Sequence, residues 1–398
     1  MLLRYLKSYI YNSVAELRIN KQVFKSLYER FYKYQEGKID LYRLFMEKAI
    51  SLCNSQGTVS FITPNTFLSI KNCAKLRRAL LEGNSFAFID NYDESVFEAS
   101  VNSIVFLLLK GVIKDKIDVY LHSSEKIEHL CVQVEKIKES PYCEISINAD
   151  DEAYKIKEKM LSVSTLLKDI PSIEMCLGAQ PYHNTIHTEE QMKSKFLHSD
   201  YQINENYVRD NGGKHFTKYV VDKMSNKWVD YSADFYTKPD RKFFEGPRIV
   251  VREIPANTLI CAYIEVFALF NKSVFNIRCA SPNVSIKYIL SILNSKAVGY
   301  YIASFGDKSK QTLFPRVSMK MLKQIPIPIA TQEQQQSIVD MVNVILRTKE
   351  INPSVDTKDI ENRIDSHVFH LYGLTYDEIH IIDPETSITR EDYESKML

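Results

Sequence analysis

Glycine is scarce in this chain, 11 of 398 residues, and no Gly-x-Gly occurs anywhere in it. The Gly-rich strand-to-helix turn that cradles a nucleotide or pyrophosphate in many α/β proteins therefore has no counterpart here. Cysteine is sparse as well: seven residues, an odd number, without a Cys-x-x-Cys pair. That usage argues against a disulfide framework or a zinc ribbon and fits a reducing cytoplasm. No uninterrupted apolar run approaches the roughly 20 residues that span a bilayer, and the N-terminal Met1-Leu2-Leu3-Arg4-Tyr5-Leu6-Lys7 carries charge within its apolar stretch, so a cytoplasmic protein without a membrane partner is expected. Nor is there an excess of charge of either sign. With 51 basic and 50 acidic residues the net charge is +1, and any nucleic-acid surface must come from local clustering of Lys and Arg.

What is present suffices for two or three domains: 45% of the residues are hydrophobic. Leu41, Leu44, Phe45, Ala49, Leu52 and Cys53 share one helical face, which predicts a helix over 41–53. Thr58 to Thr63 is short and β-rich, and Lys71 to Leu81 returns to helical spacing. Phe86 to Asp90 and Ser103 to Leu109 are apolar enough for strands buried on both faces. This alternation implies an α/β sheet covered by helices. A charged stretch follows, and from Ile173 the sequence becomes aromatic, basic and rich in turns, with a boundary expected near residue 165. Strands are predicted at Ile249 to Glu253 and Thr258 to Phe270, and one long helix from Ser285 to Phe305. Leu322 to Pro328 should be extended, because each proline pushes its predecessor out of the helical region. Two amphipathic helices, Glu333 to Lys349 and Lys358 to Tyr372, close the pattern, the second stopped by Gly373.

Several runs carry a resemblance when taken in order. Asp40-Leu41-Tyr42-Arg43-Leu44-Phe45-Met46-Glu47-Lys48-Ala49 is followed by Gly57-Thr58-Val59-Ser60-Phe61-Ile62-Thr63-Pro64-Asn65-Thr66-Phe67-Leu68, by Lys75-Leu76-Arg77, and by Val96-Phe97-Glu98-Ala99-Ser100-Val101. This series resembles the post-catalytic motifs of adenine-specific DNA methyltransferases of type II, IIG-like restriction-modification systems with a TaqI-like specificity domain. The later half resembles that specificity domain through Gly178-Ala179-Gln180-Pro181-Tyr182, His198-Ser199, Phe243 to Glu253, Tyr288 to Lys296, Leu313-Phe314-Pro315-Arg316, and the Ile-Pro-Ile-Pro segment running into Gln332. The resemblance implies an α/β fold, the latter half of a Rossmann-like methyltransferase sheet, followed by an α+β target-recognition domain with C-terminal helices. The expected division is 1–120 partial methyltransferase domain, 121–165 connector, 166–330 specificity domain and 331–398 helical segment.

The family's methyl donor is S-adenosylmethionine, but its Gly-rich loop and the catalytic Asn-Pro-Pro-Tyr are absent from this chain. Ala179-Gln180-Pro181-Tyr182 is the nearest look-alike, and it lies in the specificity half without the double proline. No catalytic residue is assigned, so the chain is expected to be inactive alone and to need an N-terminal methyltransferase half or subunit, whose strands would pair with the open edge of the half-sheet. By the resemblance, Phe45 flanks the adenine of the cofactor, and Phe97 stacks on the target adenine flipped out of the duplex. Spacing alone would make both ordinary core aromatics.

For contact with double-stranded DNA, the basic residues interleaved with aromatics are the candidates: Lys195, Lys214, Lys218, Arg241, Lys242, Arg248 and Arg252 for phosphates or guanine, and Tyr182, Trp228 and Tyr231 for wedging or stacking. The alternative is a solvated face balanced by Asp210, Asp222 and Asp234. Cys176 with His183 and His187, and His367 with His370, lack a fourth ligand, so no metal site is expected. Pro239-Asp240 with Glu253 lacks the lysine of a metal-dependent nuclease. The function implied is DNA target recognition within a site-specific adenine-N6 methyltransferase. The alternatives are a non-enzymatic DNA-binding specificity subunit or an inactive truncated product.

Overall fold

The computed structural model describes residues 28, 30–37, 40–92, 103–122, 127–140, 142–145, 147, 151–256, 258–305 and 317–395. The chain divides into two compact units, Met1–Asp151 and Glu152–Leu398.

In the first unit, helix α1 (Leu41–Leu52) precedes β1 (Thr58–Pro64), α2 (Ala74–Leu81), β2 (Asn84–Tyr92), β3 (Ser103–Lys110), β4 (Lys116–His122), β5 (Ile127–Gln133) and α3 (Val134–Glu139). The strands form one five-stranded sheet in the order β1-β3-β2-β4-β5. Neighbours are antiparallel except the β2–β4 pair, which is parallel. Ile104, Phe106 and Leu108 of β3 point into the core with Phe86, Ile89, Val119 and the α2 residues Leu76 and Leu80. Val105, Leu107 and Leu109, which alternate with them, are only half-buried. The expected burial on both faces is therefore not observed among the described residues. Aliphatic side chains at the outward positions of β3 mask the period of two that a half-buried strand normally shows.

Helix α1 buries Arg43, Leu44 and Met46 and leaves Phe45 and Leu52, seven residues apart, exposed. Its buried face is thus turned away from the predicted one. Arg77 on α2 is fully buried. Its guanidinium donates to the carbonyls of Cys143 (2.8 Å), Phe67 (2.5 Å) and Tyr142 (2.8 Å), tying the 142–143 segment to this unit. The stretch expected as a connector over 121–165 is accordingly no separate linker. β5 and α3 complete the first unit, whereas α4 (Asp151–Ser162) sinks Ile156 and Met160 into the core of the second.

After α4 the second unit runs through β6 (Ser164–Leu166), β7 (Ile173–Leu177), α5 (Glu189–Ser194), β8 (His198–Ser199), β9 (Tyr207–Arg209), β10 (Tyr219–Val220), β11 (Trp228–Asp230), β12 (Arg248–Arg252), β13 (Cys261–Ile264) and β14 (Val274–Cys279). It continues with α6 (Ile286–Asn294), α7 (Lys296–Phe305), α8 (Met319–Lys323), β15 (Pro326–Pro328), α9 (Gln332–Ile351), α10 (Lys358–Leu371), α11 (Tyr376–Ile382) and α12 (Arg390–Glu394). A five-stranded sheet in the order β10-β13-β12-β14-β7 is its centre. Ile249, Val251, Phe275 and Ile277 face the helices, where Ile292, Val298, Val342 and Phe369 complete the largest core. Val250 and Val274 point the other way, onto Phe216 and Phe270. Because α9 and α10 supply this core, residues 331–398 belong to the second unit rather than to a segment of their own.

The predicted 285–305 helix is broken at Ser295, whose extended backbone (ψ 156°) starts a new helix. Asp365 caps that start by accepting from the Lys296 N–H at 2.9 Å. β15 is the predicted extended Ile-Pro-Ile-Pro segment. Its prolines cannot donate to a sheet, but their carbonyls can accept: Tyr372 Oη donates to Pro326 O and Tyr288 Oη to Pro328 O, each at 2.8 Å. The predicted 258–270 strand is shorter, four residues of β13.

Candidate nucleic-acid interface

A cleft of about 790 Å³ opens within the second unit, between the small three-stranded sheet β8-β11-β9 and the loop and strand ends around Gly212, Arg252 and Asn271. Its walls are built by close backbone approaches. A Cβ on Gly178 would lie 2.2 Å from the Asn271 carbonyl oxygen and 2.4 Å from that of Phe270, so only glycine fits there. Asn211 is buried and works as a staple. Its amide donates to the carbonyls of Arg209 (3.2 Å) and Leu269 (3.0 Å), and its Oδ1 accepts from Ser225 N–H (2.8 Å). The Gly212-Gly213 turn is thereby held against β12, and the Arg252 side chain packs over Gly213, its Cγ 3.0 Å from where a Cβ would stand.

Lys195, Lys214 and Lys227 lie exposed along this cleft. Lys195 adopts the left-handed region (φ 50°, ψ 46°) at the end of α5, a conformation that a residue with a Cβ takes only at a cost of about 1–2 kcal/mol. Strain of this kind on a basic residue at a cleft edge is what a binding role would retain. Lys195→Gly should therefore raise the melting temperature, by roughly 2–4 °C per kcal/mol relieved, while weakening polyanion binding. Unchanged stability and unchanged binding would remove Lys195 from the interface.

Behind the lysines lies a hydrogen-bonded relay. Tyr182 Oη accepts from Leu197 N–H (2.8 Å) and lies 2.8 Å from His198 Nδ1, while His198 Nε2 lies 3.0 Å from Asp210 Oδ2. Burial pushes the Tyr182 phenol up to about 12, and it remains neutral. The second oxygen of Asp210, Oδ1, is buried without a partner. His215 takes the Gly212 N–H on its Nδ1 (2.8 Å), and burial lowers its basicity, which favours the neutral ring.

The expected DNA-contacting residues separate clearly. Lys195, Lys214 and Arg252 line the cleft, with Tyr182 ordering it from behind through His198. Arg252 is partly spent, donating to Phe216 O and lying 5.5 Å from that ring's centre, while its Nε is buried without a partner. Arg248 is overturned as a contact. It is fully buried and donates to the carbonyls of Gly246 (2.9 Å), Val266 (3.0 Å) and Ala268 (3.1 Å). Lys218 is likewise consumed, donating to Asn294 O at the end of α6 (3.0 Å).

Arg241 pairs with Glu245 and Lys242 with Glu174. Trp228 lies under the Arg209 guanidinium at 4.8 Å, and Tyr231 packs edge-on to Phe235 and Phe267. Sequence reasoning missed Lys227, His198 and Asp210 as members of the site. Lys227 stands just before β11 and is exposed there, although strand alternation would put it on the face of the buried Val229, so no local spacing marked it. The His198–Asp210 pairing depends on β8 and β9 both pairing with β11, which no local spacing reveals.

His183 Nδ1 bonds Thr185 and its ring stacks on Tyr236, His367 Nδ1 bonds the Arg363 carbonyl, and His370 stacks on Tyr393. Phe45 is 55% exposed on α1, and Phe97 lies outside the described residues.

Two family models match the chain. Residues 14–97 match the Eco57I restriction-modification methylase, and residues 199–327, which contain most of the cleft, match the TaqI-like C-terminal specificity domain. Both matches are to restriction-modification proteins, a methylase over the first segment and a TaqI-like specificity domain over the second. Among solved structures, the chain is similar to the type IIL restriction-modification enzyme MmeI in complex with DNA, at 15% identity and a TM-score of 0.58, over 93% of this chain and 55% of that one. The likeness shows the fold, and the chain spans about half the length of that relative. The type IIG restriction endonuclease BpuSI matches at 12% identity over 89% of this chain and 50% of that one, with a TM-score of 0.37. No curated protein matches.

The family implies S-adenosylmethionine. Among the described residues of the first unit, exposed aromatic rings such as Phe45 and buried acceptors such as Asn65 Oδ1, just past β1, are groups of the kind that hold such a donor. Among the described residues, no helix is long and apolar enough to cross a membrane.

Proposed function

We propose that the second unit reads the DNA target for a site-specific adenine-N6 methyltransferase of a restriction-modification system. The observation that carries this reading is the cleft itself: three exposed lysines at its edge and an ordered Tyr182–His198–Asp210 relay behind them, with most of the cleft lining inside the 199–327 segment matched to a specificity domain. Lysines on phosphates position a duplex, and a carboxylate lining the cleft, Asp210, is an acceptor of the kind that suits an exocyclic amine on a base edge. The seven cysteines, all free thiols, fit a cytoplasmic setting.

Methyl transfer itself is assigned to a completed enzyme. β1 ends the first sheet, and the Phe45–Leu52 stripe on α1 is exposed. A methylase portion carrying the Gly-rich loop and Asn-Pro-Pro-Tyr, on the same or another polypeptide, would pair with that edge and cover that stripe. Phe45 would then face the cofactor, and Phe97 would stack on the flipped adenine.

Isotope transfer from labelled S-adenosylmethionine to duplex DNA tests this. The 398-residue chain should incorporate none above background, and adding the missing methylase portion should give transfer specific to adenine. Robust incorporation by this chain alone would overturn the assignment.

A further inference from the structure

On the outer face of the first sheet, β4 and β5 bring three unlike donors together. Asp118 and Cys131 are direct cross-strand partners, and His129, two residues before Cys131, emerges on the same face by the period of two. Ile117 and Val119, alternating with Asp118, are buried in the core, so the outward direction of all three donors is fixed by packing. Asp118 Oδ1 lies 3.0 Å from His129 Nε2 and 3.5 Å from Cys131 Sγ, and the sulfur lies 3.9 Å from Nε2. The His129 ring is held by stacking on Tyr120 at 4.8 Å.

A tetrahedral zinc ion with ordinary bond lengths of about 2.0 Å to oxygen and nitrogen and 2.3 Å to sulfur requires its ligand atoms to stand about 3.3 Å (O to N) and about 3.5 Å (O to S and N to S) apart. The three observed separations are each within a few tenths of an ångström of those values. Rotation of the side chains by a few degrees, without movement of either strand, would close the difference. Asp118 and His129 are each about half exposed, so a fourth position is open to water.

We propose that Asp118, His129 and Cys131 form a binding site for a divalent transition-metal ion of the zinc type, with three protein ligands and one open position. A nitrogen, a carboxylate oxygen and a thiolate together favour zinc or cobalt(II) over magnesium or calcium, which take oxygen alone. This site lies in the first unit and is independent of the DNA-reading assignment. Its sequence signature, one Asp and a His-x-Cys eleven residues later, is too short to stand out, because it becomes a cluster only through the β4–β5 register.

Cobalt(II) titration of the reduced full-length chain tests it, since cobalt bound to a thiolate absorbs in the near ultraviolet through sulfur-to-metal charge transfer. A saturable band at one equivalent, bleached by zinc, is the expected result. Cys131→Ser should abolish the band, and Asp118→Asn and His129→Gln should each weaken cobalt binding by roughly tenfold or more. Cys176→Ser and His183→Gln should leave it unchanged. All three ligand side chains face outward, so the variants should keep the wild-type circular dichroism. No band at excess cobalt, or a band that survives Cys131→Ser, overturns the proposal.

Discussion

The full-length chain carrying Lys195→Gln, Lys214→Gln and Lys227→Gln should lose duplex DNA affinity by two to three orders of magnitude at moderate salt. Each lysine that neutralises a phosphate releases condensed counterion, with log K changing by about 0.9 per log unit of salt for each contact. At about 0.1 M salt this amounts to roughly tenfold per lysine, so three removals lower affinity by up to about a thousandfold and flatten the salt dependence by nearly three. Lys227 pairs with Asp200, but both are well exposed, and such a pair is worth too little to keep the lysine from a phosphate. Fluorescence anisotropy of a labelled duplex across a salt series gives both numbers. A triple variant with an unchanged slope would place the DNA elsewhere on the molecule, even if some affinity were lost. Because all three side chains are exposed, the melting temperature serves as an internal control and should barely move.

How much of this was legible in the sequence depends on whether a feature is written locally. The helix over 41–53, the strands at 58–63, 86–90 and 103–109, and the Ile-Pro-Ile-Pro strand were legible because periodicity and proline act on neighbours. The face of α1 was not: Arg43 is buried where an apolar residue was expected to be, because its guanidinium donates to the carbonyls of Glu36 and Asn72. The break at Ser295 was also hidden, since the cap comes from Asp365, seventy positions on in the fold's logic rather than in the turn itself.

At the site the same division holds. Basic and aromatic clustering between Tyr182 and Arg252 pointed to the region that forms the cleft, but charge alone cannot tell a solvated guanidinium from one spent on carbonyls. Lys195, Lys214 and Arg252 reach the cleft, whereas Arg248 and Lys218, with the same formal charge, close the fold. A strand reading of 249–253 already carried a warning. In β12, Arg248 and Val250 share the face opposite the large helical core, and a basic residue placed there must either reach solvent or find acceptors among loop carbonyls.

That distinction yields the second large effect. Arg248→Met should unfold the second unit far more readily than wild type, and it should do so without touching DNA recognition. The guanidinium serves three carbonyls, those of Gly246, Val266 and Ala268, and so fastens β12 to the 266–268 segment beside the β13 strand. Methionine fills much of the volume but donates nothing. Each buried carbonyl left without a donor costs about 1–3 kcal/mol, for a total near 3–5 kcal/mol once partial rescue by backbone adjustment is allowed. Burial lowers the pKa of this cation to about 10, yet it stays charged at neutral pH, so the three bonds are charge-assisted. A drop in melting temperature of roughly 10 °C is expected, at about 2–4 °C per kcal/mol for a unit of this size. Binding measured per folded molecule, well below that transition, should equal wild type. The opposite pair of results, an unchanged melting temperature with lost DNA affinity, would return Arg248 to the interface and require the β12 end of the cleft to open on binding.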